Sequence, residues 1–144
     1  MIVRDAQQED LAKVLEIEKL SFADPWNNDF LEKVSKDIFL VSGEQEVNGF
    51  IIAGCCYRNI SATILKVAVH PEHRRQGVAT NLLNQLIVNL KNKQIVEVDV
   101  VVDIAWKPAI SLYKKVGLEI VSTITQISND TNFYEMKLKL SPDS

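Results

Sequence analysis

Two cysteines and two histidines in 144 residues leave little with which to build a disulfide framework or a metal centre. The cysteines, Cys55 and Cys56, are adjacent, so in an extended strand they point to opposite faces, and both are expected in a strand core. His70 and His73 read as turn residues, and no metal is expected. No apolar run approaches the roughly 20 residues that span a bilayer. The N-terminus, Met1-Ile2-Val3-Arg4-Asp5, is charged within five residues, so no signal peptide is expected either. Basic residues are not in excess: 16 Lys and Arg against 19 Asp and Glu give a net charge of −3. That balance speaks against a nucleic-acid or membrane-surface partner. With five glycines and four prolines there is no linker, repeat or low-complexity stretch. The expectation is one domain over residues 1–144, cytoplasmic and reduced, burying roughly 70% of its unfolded surface.

Periodicity orders what is there. Ile2-Val3-Arg4 reads as a short strand. Asp10 to Leu20 reads as a helix with Leu11, Val14, Leu15 and Ile17 inward and Glu16, Glu18 and Lys19 toward solvent. Pro25 breaks the chain, and Asn27 or Asn28 caps a second helix to about Lys36. Strands follow at Ile38–Ser42, Val47–Arg58 and Ala62–Val69. A third helix opens on Gly77 and runs to about Lys91, then a strand from Ile95 to Val102. On that strand Val96, Val98, Val100 and Val102 make one apolar face. Glu97, Asp99, Val101 and Asp103 make a mostly acidic opposite face. Pro108–Val116 is a short helix closed by Gly117, and Leu118–Ser128 and Phe133–Leu140 are the last strands. The order predicts an α/β (α+β) domain: a central mixed sheet with helices on both faces. The third helix, as a crossover, requires its flanking strands to be parallel neighbours.

The stretch from His70 to Thr80 carries the chemistry. A buried strand ends at Val69, a turn with Arg74 and Arg75 follows, and a helix opens on Gly77 with apolar residues at 79, 82, 83, 86, 87 and 90. The first backbone N–H groups of that helix and the positive end of its dipole make an anion site, most naturally for phosphate.

Arg74-x-x-Gly77-x-Ala79 after Val67-Ala68-Val69 resembles the acetyl-coenzyme A signature of the GCN5-related N-acetyltransferase (GNAT) family. Ala109-Ile110-Ser111-Leu112-Tyr113-Lys114-Lys115-Val116-Gly117-Leu118 is similar to the second motif of that family. Asp24-Pro25-Trp26 followed by Phe30 is similar to its ribosomal-protein N-terminal alanine acetyltransferase branch. The resemblance implies an acyl-coenzyme A N-acyltransferase fold and acetyl-CoA as cosubstrate. It implies that N–H groups of Arg75, Gln76, Gly77, Val78, Ala79 and Thr80 cradle the pyrophosphate. Val67, Ala68 and Val69 would lie along the pantetheine arm, with the Val69 N–H on the thioester oxygen. Tyr113 would be the general acid toward the leaving thiolate. Pro25 and Trp26 would line the acceptor groove.

Three positions depart from the family pattern. Trp106 stands where the second motif usually has Asn. Val101 stands where the ribosomal-protein branch has its catalytic Glu, and Trp26 where another branch has one. Asp103, or else Asp99, is left as the base acting through water. Trp106 is expected to pack, as is Trp26 unless it walls the groove. An α-amine with a pKa near 8 is about one-tenth neutral at pH 7, so lacking a base costs it about 1–1.5 kcal/mol. A lysine near 10.4 would lose about 4–5 kcal/mol. The expected acceptor is therefore the α-amine of a protein or peptide N-terminus. The alternatives are a polyamine or aminoglycoside acetyltransferase, or an acetyl-CoA sensor without turnover. A nucleic-acid module on Arg58, Lys66, Arg74 and Arg75 is the weakest rival.

Overall fold

The computed structural model describes residues 2–21, 37–126 and 131–140. Their strands are β1 (Val3–Asp5), β2 (Ile38–Ser42), β3 (Gly49–Cys56), β4 (Ser61–Val69), β5 (Glu97–Asp103), β6 (Glu119–Gln126) and β7 (Thr131–Lys139). The helices are α1 (Leu11–Ser21), α2 (Val78–Asn92) and α3 (Lys107–Lys115). One seven-stranded mixed sheet holds the strands in the order β1-β2-β3-β4-β5-β7-β6. β4 and β5 pair in parallel across the α2 crossover, and the other neighbours are antiparallel. The mixed sheet with helices on both faces is therefore as expected. The second helix expected up to residue 36, together with Pro25 and Trp26, lies outside the described residues.

Alternation along the strands builds two cores. On one face, Leu11, Val14 and Ile17 of α1 cover Phe39, Val41, Phe50, Ile52 and Ala68. On the other, Leu82, Leu83, Leu86 and Leu90 of α2 share a core with Leu40, Ile51, Ile64, Val98 and Val100. Successive strand residues alternate between the faces, so both sides of β2 and β3 are buried. Gly49 lets α2 sit close: a Cβ there would lie 2.8 Å from Val78 Cγ1 and 3.1 Å from the Ala68 carbonyl oxygen.

Two expectations about α1 and β3 are corrected. Glu18 does not face solvent; it is fully buried on the stripe of Val14 and Ile17, and its Oε2 lies 2.9 Å from Lys66 Nζ on β4. A buried carboxylate needs such a counter-charge, since desolvating it alone costs several kcal/mol. The same pair takes Lys66 out of the basic surface that a nucleic-acid module would need. Cys56 is exposed rather than in the core, because it ends β3 where the chain turns toward β4; Cys55 is half-buried, its thiol pKa pushed up by burial. Among the described residues no helix is long and apolar enough to cross a membrane.

The start of α1 is fastened to β1 by charge. Asp10, itself buried, accepts from Arg4 Nη1 at 2.8 Å and Nη2 at 3.0 Å, and from the Gln7 N–H at 2.7 Å. The Arg4 guanidinium, more than the Gln7 amide, holds the Asp10 pKa below its ordinary value against desolvation. A depressed carboxylate pKa contributes stability above the ordinary range that is lost as pH falls through the folded value. Arg4→Met should cost about 1–2 kcal/mol at pH 7. The gap from wild type should narrow in acid, which urea midpoints at the two pH values will show.

Candidate active site

The site begins where β4 and β5 part. Their parallel ladder lasts three pairs, Ser61 with Glu97, Ala62 with Val98 and Thr63 with Asp99. On its other edge β4 carries a bulge: Ile52 pairs with Lys66 but Ala53 with Ile64, so Leu65 is extra. A bulge bends its strand and sharpens the local twist, which carries β4 away from β5. It also shifts the alternation. Ala62 and Ile64 point into the α2 core before it, whereas after it Ala68 points into the α1 core and Val67 and Val69 border the α2 core.

Beyond the bulge β4 has an open edge. The His70 N–H bonds the Asn48 carbonyl at 2.8 Å, so the polar groups of Val67 and Val69 face away from β3, into the gap. The Val69 carbonyl accepts from Arg74 Nε at 3.1 Å, which leaves the Val67 groups and the Val69 N–H on that edge.

The turn that follows is shaped by two left-handed residues. A 3-10 turn over Pro71–His73 is capped by His70, whose Nδ1 accepts from the Glu72 N–H at 3.1 Å. Arg74 is extended, Arg75 has φ +64° and Gly77 φ +80°, and α2 starts at Val78 without a side-chain cap. Left-handed residues between ordinary ones turn successive N–H groups to one side, an anion-holding concavity. A Cβ on Gly77 would meet nothing within 4 Å, so the space over this concavity is open. The two arginines divide their work: Arg74 ties the turn to the ends of β4 and α1 through the Val69 carbonyl and Ser21 Oγ, 3.3 Å away. The residues present therefore fit a phosphate group at residues 75–80 and an extended amide-bearing arm along Val67–Val69.

Tyr113 lies on α3, 6% exposed, within the α2-side core that Val67 and Val69 border. Burial pushes its phenol pKa up to about 12. The outward residues of β5 lie on the opposite side of the sheet. Asp99 Oδ1 accepts from Thr63 Oγ1 at 2.7 Å, and Asp103 Oδ1 from the Ala105 N–H at 2.9 Å. Val101 between them is half-exposed. On this face the fold adds residues that sequence reasoning passed over: Glu135 of β7 stands opposite Val101, with Ser122 of β6 opposite Glu135. Nothing local signals this, because β7 inserts between β5 and β6. Trp106, expected to pack, is instead 51% exposed at the start of α3, where its N–H bonds the Asp103 carbonyl. Pro25 and Trp26 lie outside the described residues. No group of three or more His, Cys, Asp or Glu side chains that would hold a metal occurs among the described residues.

A parallel strand pair that opens beside a left-handed turn and a helix start defines an acyl-coenzyme A N-acyltransferase fold. Residues 5–118 match the family described as Acetyltransferase (GNAT) family, and the chain belongs to it: an acetyl-CoA-dependent acetyltransferase. It is 29% identical over 122 residues to a Bacillus subtilis (strain 168) protein named "Putative ribosomal protein bS18-alanine N-acetyltransferase", covering 81% of this chain and 80% of that one. The ribosomal-protein-S18-alanine N-acetyltransferase of Escherichia coli has the same fold, with TM-score 0.84 and 21% identity over 97% of this chain and 94% of that one. Ard1 from Thermoplasma volcanium matches with TM-score 0.88 and 24% identity over 97% of each chain.

Proposed function

We propose that this chain moves the acetyl group of acetyl-CoA directly onto the α-amine of a protein or peptide N-terminus, in the cytoplasm. The observation that carries this reading is the gap between β4 and β5, which has chemically different sides. On the α2 side stand the anion-holding turn and the buried Tyr113. On the other stands the acidic face of β5 with Asp99, Val101 and Asp103. An activated thioester supplies the acyl group, and the protein positions it and manages two protons.

In this reading the N–H groups of residues 75–80 hold the pyrophosphate, and the open edge of Val67–Val69 pairs with the arm. The Val69 N–H bonds the thioester oxygen as it gains negative charge. The acceptor amine comes in from the acidic face and loses its proton on that side, where Asp99 and Asp103 lead toward solvent. Tyr113 donates to the departing sulfur from the opposite side. An α-amine suits this arrangement because its own pKa leaves it close to neutral. The curated relative is named for acetylating the alanine of a ribosomal protein, which makes an N-terminal alanine the first acceptor to try.

The test is transfer of labelled acetyl from acetyl-CoA to three acceptors: peptides with a free N-terminal alanine, N-terminally blocked lysine peptides, and polyamines. Free N-termini should be preferred by about 100-fold or more, in line with the roughly 3 kcal/mol difference in deprotonation. Acetylation of blocked lysine peptides or polyamines alone would overturn the acceptor assignment.

A further inference from the structure

Acetyl transfer to an amine, the reading on which this inference rests, needs a group on the acidic face to receive the amine's proton. Four carboxylates of β5 and β7 share that face: Glu97, Asp99, Asp103 and Glu135. Two are held by other work: Glu97 Oε1 lies 3.4 Å from Lys137 Nζ, and Asp103 receives the Ala105 N–H at 2.9 Å and so shapes its own turn. Asp99, bonded to Thr63 at 2.7 Å, sits in the last β4–β5 pair, where the two strands are still joined.

Glu135 differs in both place and partner. It sits directly across the β5–β7 ladder from Val101, two residues past the last β4–β5 pair, at the mouth of the gap. Directly opposed Cβ atoms in an antiparallel pair are about 5 Å apart. A carboxylate on β7 at this point therefore reaches the space above Val101, where β5 itself offers only methyl groups. Ser122 Oγ donates to Glu135 Oε1 at 3.1 Å, which orients the carboxylate and is compatible with its accepting a second proton. Among the described residues no cation pairs with it.

We infer that Glu135 is the general base, with Ser122 as its positioning residue. As the amine nitrogen forms its bond to the thioester carbonyl carbon, the Glu135 carboxylate takes the nitrogen's proton and later passes it to water. The carbon–sulfur bond breaks with its electron pair on sulfur, which leaves as a thiolate hydrogen-bonded by the Tyr113 hydroxyl on the other side of the gap and takes its proton from water. The products are an amide and the coenzyme thiol.

Glu135→Gln should lower kcat on an N-terminal alanine peptide ten- to thirtyfold, with KM for acetyl-CoA within twofold of wild type and the melting temperature nearly unchanged. Asp99→Asn and Asp103→Asn should lower kcat less. The double variant Val101→Glu/Glu135→Val, which moves the carboxylate across the ladder, should recover most of the lost activity. Full kcat in Glu135→Gln, a larger loss in Asp103→Asn, or no recovery in the double variant would overturn the assignment. A wild-type chain that binds acetyl-CoA and acetylates none of the amines would overturn the acetyl-transfer reading and this inference together; the other outcomes leave that reading standing.

Discussion

Replacing Tyr113 with phenylalanine is expected to lower kcat about 100-fold while coenzyme affinity and neutral-pH stability stay nearly constant. The ring remains in the core, so its burial is kept, and what is lost is one hydroxyl. With its pKa pushed up to about 12, that hydroxyl is protonated throughout the working range and always available as a donor. Complete transfer of its proton to a thiolate near 8.5 would be uphill by on the order of 5 kcal/mol. In the proposed reaction the hydroxyl would therefore stabilise the leaving sulfur chiefly as a hydrogen-bond donor, which places the expected loss at the low end of general-acid effects.

The same substitution has a second signature. Tyr113 has a folded pKa raised above its unfolded value near 10, so its contribution to stability is complete below pH 10 and is lost as pH rises toward 12. Over two pH units this amounts to about 2–3 kcal/mol. Tyr113→Phe should remove that part of the alkaline loss, visible as a flatter stability curve above pH 10. An unchanged kcat would exclude the acid role, and an unchanged alkaline slope would exclude the burial argument.

Gly77→Val is expected to weaken coenzyme A binding by about 100-fold or more, some 2.7 kcal/mol, measured by titration calorimetry. Two effects combine. Gly77 holds φ +80°, where a residue with a Cβ costs about 1–2 kcal/mol, and a β-branched one is among the worst. No atom lies within 4 Å of the new Cβ, so the fold absorbs the strain without a clash and should lose only a few degrees in melting temperature. The added methyl groups instead fill the space over the N–H groups of residues 75–80, where the phosphate belongs. Gly77→Ala should fall between the two. Unchanged affinity in Gly77→Val would remove the phosphate cradle from this turn.

Much of this site was legible along the chain because its parts are contiguous. Val67 to Thr80 is a strand, a turn and a helix start in one stretch, and α2 followed the spacing of its leucines. Tyr113 came from its motif, and the inward valines 98, 100 and 102 from simple alternation. Glu18 shows where local reading failed despite a usable signal. It lies four residues after Val14, on the buried stripe, and only its charge argues it outward, a charge that Lys66 of β4 meets inside the fold. The exposure of Trp106 had no such signal; it depends on how α3 leaves the end of β5.

By itself the sequence determined the order of the described elements, the strand–turn–helix stretch proposed to hold the anion and the identity of the buried phenol, since each depends on neighbours a few residues apart. Only the tertiary structure decided where β4 and β5 part and what stands on the outward face of β5. The extra residue at Leu65 parts β4 from β5, and the insertion of β7 between β5 and β6 brings Glu135 opposite Val101. Both follow from strand register across the sheet. Register is set by how whole faces are buried against α1 and α2, so no single stretch of the chain encodes it.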